Sequence, residues 1–331
     1  MPPLKSRPAA CLSKSNAMRR LGIVAGLGLL GLVSCTGTEA ATPVAVESAT
    51  AAPVAAEPVA AAAPESETGS QGSADEPAYQ NTRFSYSGEL TQGGFIRGFV
   101  PDGAVSASLG DQAIEIGEDG SFFAAFDRDA ESTVTLSARL ESGQIHGETL
   151  SVSSRDWQIE RVNVPKRELR DPEAYWKQRE PEYNAIVAAR ARKTDAQGWK
   201  QDFIWPVTGR ISGRFGRQRI YQGEPGSYHS GIDIAKPNGT PFVAPADGVV
   251  VLARTGFSLE GGLLMIDHGN GLNSAFLHCS RLVVKEGDRV RQGQHIGDVG
   301  STGRSSGPHL HWGLKWHDAR FDPILLAGPM N

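Results

Sequence analysis

Leu263-Leu264-Met265-Ile266-Asp267-His268-Gly269-Asn270-Gly271-Leu272-Asn273-Ser274-Ala275-Phe276-Leu277-His278 sets two short apolar runs on either side of Gly and Asn-Gly punctuation. Runs of this length bounded by turn signals read as strands. The pattern recurs over Leu310 to Leu314. From Gln201 to Asn331 there are 21 glycines in 131 residues, a density that disfavours helix. Residues 201–331 are therefore expected to form a compact all-β core.

Upstream, Asp171-Pro172-Glu173 reads as an N-cap, a proline at the first helical position and an acid in the first turn. A helical connector is expected within 166–200, running to about Lys193 and broken or kinked at Pro181. Before it, residues 81–165 give short β-rich runs, among them Phe95 to Val100, Phe122 to Phe126, Thr133 to Leu140 and Trp157 to Val164. Pro101-Asp102-Gly103 and Glu118-Asp119-Gly120 supply turns between them. Strands at this spacing argue a small β-sandwich. It holds no catalytic constellation, so a binding, spacing or occluding role is expected of it.

Residues 35–80 are rich in Ala, Pro, Val, Glu, Ser and Gly, with Tyr79 the one aromatic. Such a stretch cannot bury enough to fold and is expected to act as an extended tether. Residues 1–34 hold Lys5, Arg7, Lys14, Arg19 and Arg20 with no acid, and Leu21 to Val33 is an apolar run of signal-peptide length. Met18 is an alternative start. The run ends in Leu32-Val33-Ser34-Cys35, which resembles a bacterial lipobox and implies cleavage before Cys35 and a lipid on its sulfur. By the same resemblance, Thr36-Gly37 after the cysteine implies the periplasmic face of the outer membrane as the location in the cell envelope. With Cys11 removed and Cys35 acylated, Cys279 would stand alone and no internal disulfide would form.

Net charge argues against one class of partner. The chain carries 33 Lys and Arg against 37 Asp and Glu, whereas a nucleic-acid binder concentrates basic residues in its folded domain. Nucleic acid is not expected as a partner. Histidine is as uneven as charge, with seven of eight residues at or after 229.

Three patterns carry those histidines: His229-Ser230-Gly231-Ile232-Asp233, Phe276-Leu277-His278 and Gly307-Pro308-His309-Leu310-His311. A spacing of two on a strand puts both imidazoles of the third pattern on one face. A spacing of four in extended chain does the same for the first, with Gly231 allowing close backbone approach. Three ligands of N, O, N type suit zinc, and three protein ligands with an open position make a catalytic rather than a structural site. Further imidazoles would then handle protons or charge. The helical His-Glu-x-x-His motif is absent from the sequence.

These residues resemble the lysostaphin and LytM family of zinc metallopeptidases that cut cell-wall peptides. The resemblance runs through Trp205-Pro206-Val207, Gly213-Arg214-Phe215-Gly216, His229 to Ala235, Ala244-Pro245-Ala246-Asp247-Gly248, Asp267-His268-Gly269-Asn270-Gly271, Gly300-Ser301-Thr302-Gly303 and His309-Leu310-His311. It implies a mainly β protein whose C-terminal LytM-like domain is a duplicated hybrid motif. It also implies one zinc ion per chain held by His229, Asp233 and His311, with His278 and His309 flanking the reacting water. Phe276 stands where the family often has tyrosine, and Cys279 where leucine is common.

Arg214, Tyr228 and Phe276 are candidates for the substrate groove. Arg214, Arg217 and Arg219 could meet acidic peptide carboxylates there, solvated surface charge being the alternative. His268 and His295 are expected to serve glycine-rich turns, His317 and His146 to be exposed, and Cys279 to be a buried thiol. The expected activity is zinc-dependent hydrolysis of peptide cross-links or stem peptides of peptidoglycan. Two rivals are a non-catalytic wall-binding activator of other hydrolases and a zinc peptidase acting on protein or glycine-rich peptides. A regulatory protein partner, and occlusion of the groove by the β domain or the connector, are further expectations.

Overall fold

The computed structural model describes residues 81–168 and 170–330; the signal over 1–34, Cys35 and the tether lie outside the described residues. Period-two alternation shapes the first sheets. In Thr133–Leu140, Leu136 and Ala138 are buried while Thr133 and Thr135 face solvent. This strand pairs antiparallel with Ala104–Leu109 and with Ile145–Ser151, and Gln112–Ile114 forms the edge. Gly143, at φ 84°, closes the hairpin where a Cβ would be strained.

A second sheet combines Ser85–Gly88, Phe95–Phe99 and Ser121–Ala125. All five residues of Ser121–Ala125 are buried, because both faces are covered. Phe122 meets Phe84 at 5.9 Å. On the opposite face, Phe123 stacks on Phe95 at 5.6 Å and meets Phe321 at 5.9 Å. The small β unit thus shares one continuous apolar core with the C-terminal sheets. Within Trp157 to Val164, the strand Ile159–Val162 pairs in parallel with Gln218–Tyr221 of the C-terminal part rather than with the sandwich.

The C-terminal part, expected to be all β, is built around two sheets but also carries a short helix, Pro323–Ala327, capped by Asp322. The larger runs in the order Arg289–Val290, Gly248–Phe257, Gly261–Asp267, Leu272–Leu277, His309–Trp316, Ile232–Ala235 and Arg210–Gly213, with Ala319–Phe321 also paired to His309–Trp316. The smaller contains Pro241–Val243, His295–Asp298 and Arg281–Leu282. Phe242 of the smaller sheet stacks on Phe276 of the larger at 5.3 Å.

Gly261–Asp267 is buried at every position and therefore has two covered faces. Leu264 and Ile266 belong to the core beneath the smaller sheet, whereas Leu263 and Met265 pack with Ile186 and Ala189 of the helix α1, Pro172–Arg190. Fully burying such a side chain contributes about 1.5–3 kcal/mol, so docking of α1 rests on a few apolar contacts. Asp171 caps the helix by accepting from Ala174 N–H at 2.9 Å. The helix runs through Pro181 without a break. Its neighbours hold it there: Arg179 donates to both oxygens of Glu260 at 2.7 Å, and Glu182 accepts from Ser258 N–H at 2.8 Å and Oγ at 2.6 Å. No helix among the described residues is long and apolar enough to cross a membrane.

Candidate metal centre and active site

Strand register assembles the cluster. Asp233 lies directly opposite His311 across the antiparallel pair Ile232–Ala235 and His309–Trp316, and Ala235 lies opposite His309. Cross-strand partners share a face, and so do residues two apart on one strand. Asp233, His309 and His311 therefore project together. His229 joins them from the preceding loop through Gly231, where a Cβ would fall 2.4 Å from the Trp312 carbonyl oxygen.

His229 Nε2 lies 3.0 Å from Asp233 Oδ1 and 3.1 Å from His311 Nδ1, and His311 Nδ1 lies 2.9 Å from the same Oδ1. The tautomer of His229 follows from its other nitrogen, which lies 3.0 Å from the Arg214 carbonyl oxygen. A carbonyl can only accept, so Nδ1 carries the proton and Nε2 offers a lone pair. The triangle thus holds a lone pair, a carboxylate oxygen and a third nitrogen with at most one proton among them. A cation satisfies all three.

Zinc bonds of about 2.0–2.2 Å imply tetrahedral edges of roughly 3.3–3.5 Å, close to the observed triangle. The N, O, N donor set fits the ion, and these residues can hold it. Burial works against charge on Asp233, but His229 and His311 hold its carboxyl far below the usual carboxylate range. Burial also opposes charge on His229, where Asp233 outweighs it and raises the pKa. On His311 burial prevails and lowers the pKa.

Two more histidines border the cluster. His278 ends the strand Leu272–Leu277 and takes φ 66°, a left-handed conformation rare for a residue with a side chain. Its ring reaches within 4.8 Å of that of His309, centroid to centroid. His278 Nδ1 donates to the Thr302 carbonyl at 2.8 Å, and His309 Nδ1 donates to the Gly307 carbonyl at 2.8 Å. In both rings Nε2 is left as the unprotonated nitrogen, and that of His309 lies 3.5 Å from Asp233 Oδ1. Burial lowers the pKa of His278.

The groove candidates fall elsewhere. Phe276, expected to line the groove, is fully buried between the two sheets, because alternation turns it away from the face that carries His311. Arg214 is exposed, and its main-chain oxygen rather than its guanidinium touches the site. Arg217 and Arg219 both donate to Glu160, at 3.3 and 2.8 Å. Tyr228 is half-buried against Phe215 at 6.0 Å, under the Arg128 guanidinium at 4.8 Å.

The other histidines lie outside the cluster, and His146, expected to be exposed, is partly buried on the strand Ile145–Ser151. His268 is completely buried between the Asp247 carbonyl at 2.7 Å and Ser274 Oγ at 2.8 Å, and burial lowers its pKa to about 4. His295 lies 2.8 Å from Asp298 Oδ1. His317, expected to be exposed, is instead partly buried over Gly271. Cys279 is buried, which pushes its thiol up to about 12. Composition and spacing gave no sign of the Thr302 and Gly307 carbonyls, because any residue type supplies the same oxygen.

Comparison with known proteins agrees with this geometry. Residues 227–323 match the family described as Peptidase family M23. The Vibrio cholerae peptidoglycan DD-endopeptidase ShyA is 42% identical over 106 residues, which are 32% of this chain and 24% of ShyA. The Neisseria meningitidis DD-carboxypeptidase/endopeptidase Mpg is 44% identical over 103 residues, 30% of this chain and 23% of Mpg. The matched stretch thus spans about a quarter of either curated relative. A Pseudomonas aeruginosa protein solved as a peptidase M23 superposes with a TM-score of 0.58 at 28% identity, covering 72% of this chain and 96% of that one. The C-terminal part of this chain, with its His-Asp-His cluster, thus carries a match to peptidase family M23, the LytM type, over residues 227–323.

Proposed function

We propose that this chain is a zinc-dependent endopeptidase that hydrolyses peptide cross-links or stem peptides of peptidoglycan. The observation that carries this reading is the pair His278 and His309, which the metal ligands do not need. Each is oriented by a backbone carbonyl so that its free nitrogen is Nε2. A structural metal site has no use for two such rings.

Zinc held by His229, Asp233 and His311 would supply Lewis acidity and lower the pKa of water toward neutrality. The chain supplies the rest. His309 Nε2 is placed to accept a proton, and the backbone bond at Nδ1 keeps the ring in the accepting tautomer. His278, fixed by Thr302, faces it across the site and presents a second Nε2 acceptor for a water or a substrate N–H. The named activities of ShyA and Mpg support peptidoglycan as the substrate. An export signal and a lipid on Cys35 would hold the enzyme beside the wall, at the periplasmic face of the outer membrane.

The test is digestion of purified peptidoglycan with mass measurement of the products. Cross-linked muropeptide dimers should fall to monomers, and His309→Ala should abolish this while binding zinc. Undiminished turnover by His309→Ala would remove the mechanism.

A further inference from the structure

Helix α1 and the sheet that carries the metal ligands enclose a cavity of about 190 Å³, and His311 itself forms part of its wall. The floor is aliphatic, from Met265, Ala275 and Leu277. Four cationic side chains look onto it: Arg179 and Arg190 from α1, Lys315 from the strand of His311, and Arg320 from the adjacent strand Ala319–Phe321.

Two of the four are accounted for. Arg179 is bound by Glu182 at 2.9 Å and by Glu260 at 2.7 Å, and Lys315 by Asp318 at 2.8 Å. Glu260 is the one carboxylate in the wall, and both its oxygens are taken by Arg179. Asp127, beside Arg320, accepts from the main-chain N–H of that residue at 2.9 Å. Among the described residues, neither Arg190 nor Arg320 has an ion-pair partner; Arg320 hydrogen-bonds the neutral Tyr228 side chain, and Arg190 Nε is buried without a hydrogen bond.

A guanidinium removed from water without a partner costs free energy, and a second one nearby adds repulsion. Burial first and Arg320 second depress the pKa of Arg190, outweighing the pull of Glu260, Tyr183 and Asp318. Such a pair is neutralised by a planar anion that takes two parallel hydrogen bonds. The cavity borders a metal ligand, and one peptide residue spans about 3.3–3.6 Å. Arg320 lies opposite Lys315, four residues along the strand from His311, so an anion seated there meets a bound peptide within a few residues of the bond being cut. We propose that Arg190 and Arg320 form a carboxylate subsite that selects peptides bearing a free carboxylate within a few residues of the scissile bond, with the aliphatic floor carrying the adjoining methylene groups. This rests on the peptidase reading, and it makes α1 one wall of a specificity pocket.

The test compares a purified muropeptide dimer with the same dimer amidated at its stem-peptide carboxylates, using the full chain. A carboxylate held by two arginines is worth tenfold or more over its amide. The wild type should prefer the free acid at least tenfold in kcat/KM. Arg190→Gln and Arg320→Gln should raise KM for the acid about tenfold, leave kcat within about twofold, and leave the amidated dimer unaffected. Arg320→Lys should recover part of the preference. Equal kcat/KM for acid and amide in the wild type, or an unchanged preference in both Gln variants, would overturn the subsite. The wild-type comparison holds even if a variant fails to fold.

Calorimetric binding of the monomeric product peptide, free and amidated, separates this proposal from the peptidase reading. If neither dimer is cut, at least tenfold tighter binding of the free acid still supports the subsite. Equal binding, or no binding of either peptide, overturns it.

Discussion

Gly231 and His311 approach so closely that a Cβ on Gly231 would stand 2.8 Å from His311 Nε2. The His311 ring is thus pressed against a backbone that has no room for a side chain, and its orientation is set by packing. Gly231→Ala should displace the ring and weaken zinc about 10–100-fold, the usual effect of losing an orienting contact. Competition with a chromogenic chelator measures this. Unchanged affinity would show that the ring is free to give way.

Ligands and proton-handling histidines should separate experimentally. His229→Ala should lose zinc stoichiometry as measured by elemental analysis. His278→Ala and His309→Ala should keep the metal while kcat falls about 10²–10⁴-fold, the range for general acid–base groups. Loss of metal in all three variants would contradict the division of roles.

The ion cluster under α1 sets a stability prediction. Arg179→Ala would leave Glu260 without its partner and Glu182 with only Ser258, at a cost on the order of 3 kcal/mol. A fall in thermal midpoint measures it, and a midpoint within a degree of wild type would refute it.

The same cluster makes stability depend on pH. Burial opposes charge on Glu182, but Ser258 and Arg179 outweigh it and hold its pKa below the ordinary 4.5. A depressed folded-state pKa contributes stability that is complete above the ordinary value and lost as pH falls through the folded one. The midpoint of the wild type should therefore drop below about pH 4.5, and Ser258→Ala should flatten that drop. Parallel curves for the two proteins would count against the assignment.

Phe276→Tyr places a hydroxyl between the stacked sheets rather than in the groove. It should destabilise by about 1–3 kcal/mol, the cost of a buried unpaired polar group, and leave KM unchanged. A lowered KM would put residue 276 back in contact with substrate.

The order of His229, Asp233, His278, His309 and His311 was legible in the sequence because a strand repeats every two residues and the metal needs ligands on one face. Gly231 was legible for a related reason, since close backbone approach leaves glycine as its mark. Phe276 was not, because the two faces of a strand look alike until both have partners. His278 followed no alternation at all, since its left-handed backbone takes it out of strand register. The continuous helix through Pro181 escaped a reading by local propensity because Arg179, Glu182 and Ile186 hold it from outside.

By itself the sequence determined the β character of the chain, the family resemblance of its last third and the residue types of the His-Asp-His cluster, because these depend on residue identity and short-range periodicity. The tertiary structure decided which carbonyls orient the histidines, that Arg217 and Arg219 are engaged by Glu160, and that Arg190 and Arg320 meet beside His311. Except for the Gly307 carbonyl, two residues before His309, those relations join segments 15 to 130 residues apart, and no local pattern encodes them. Only strand register and the docking of α1 bring such groups together.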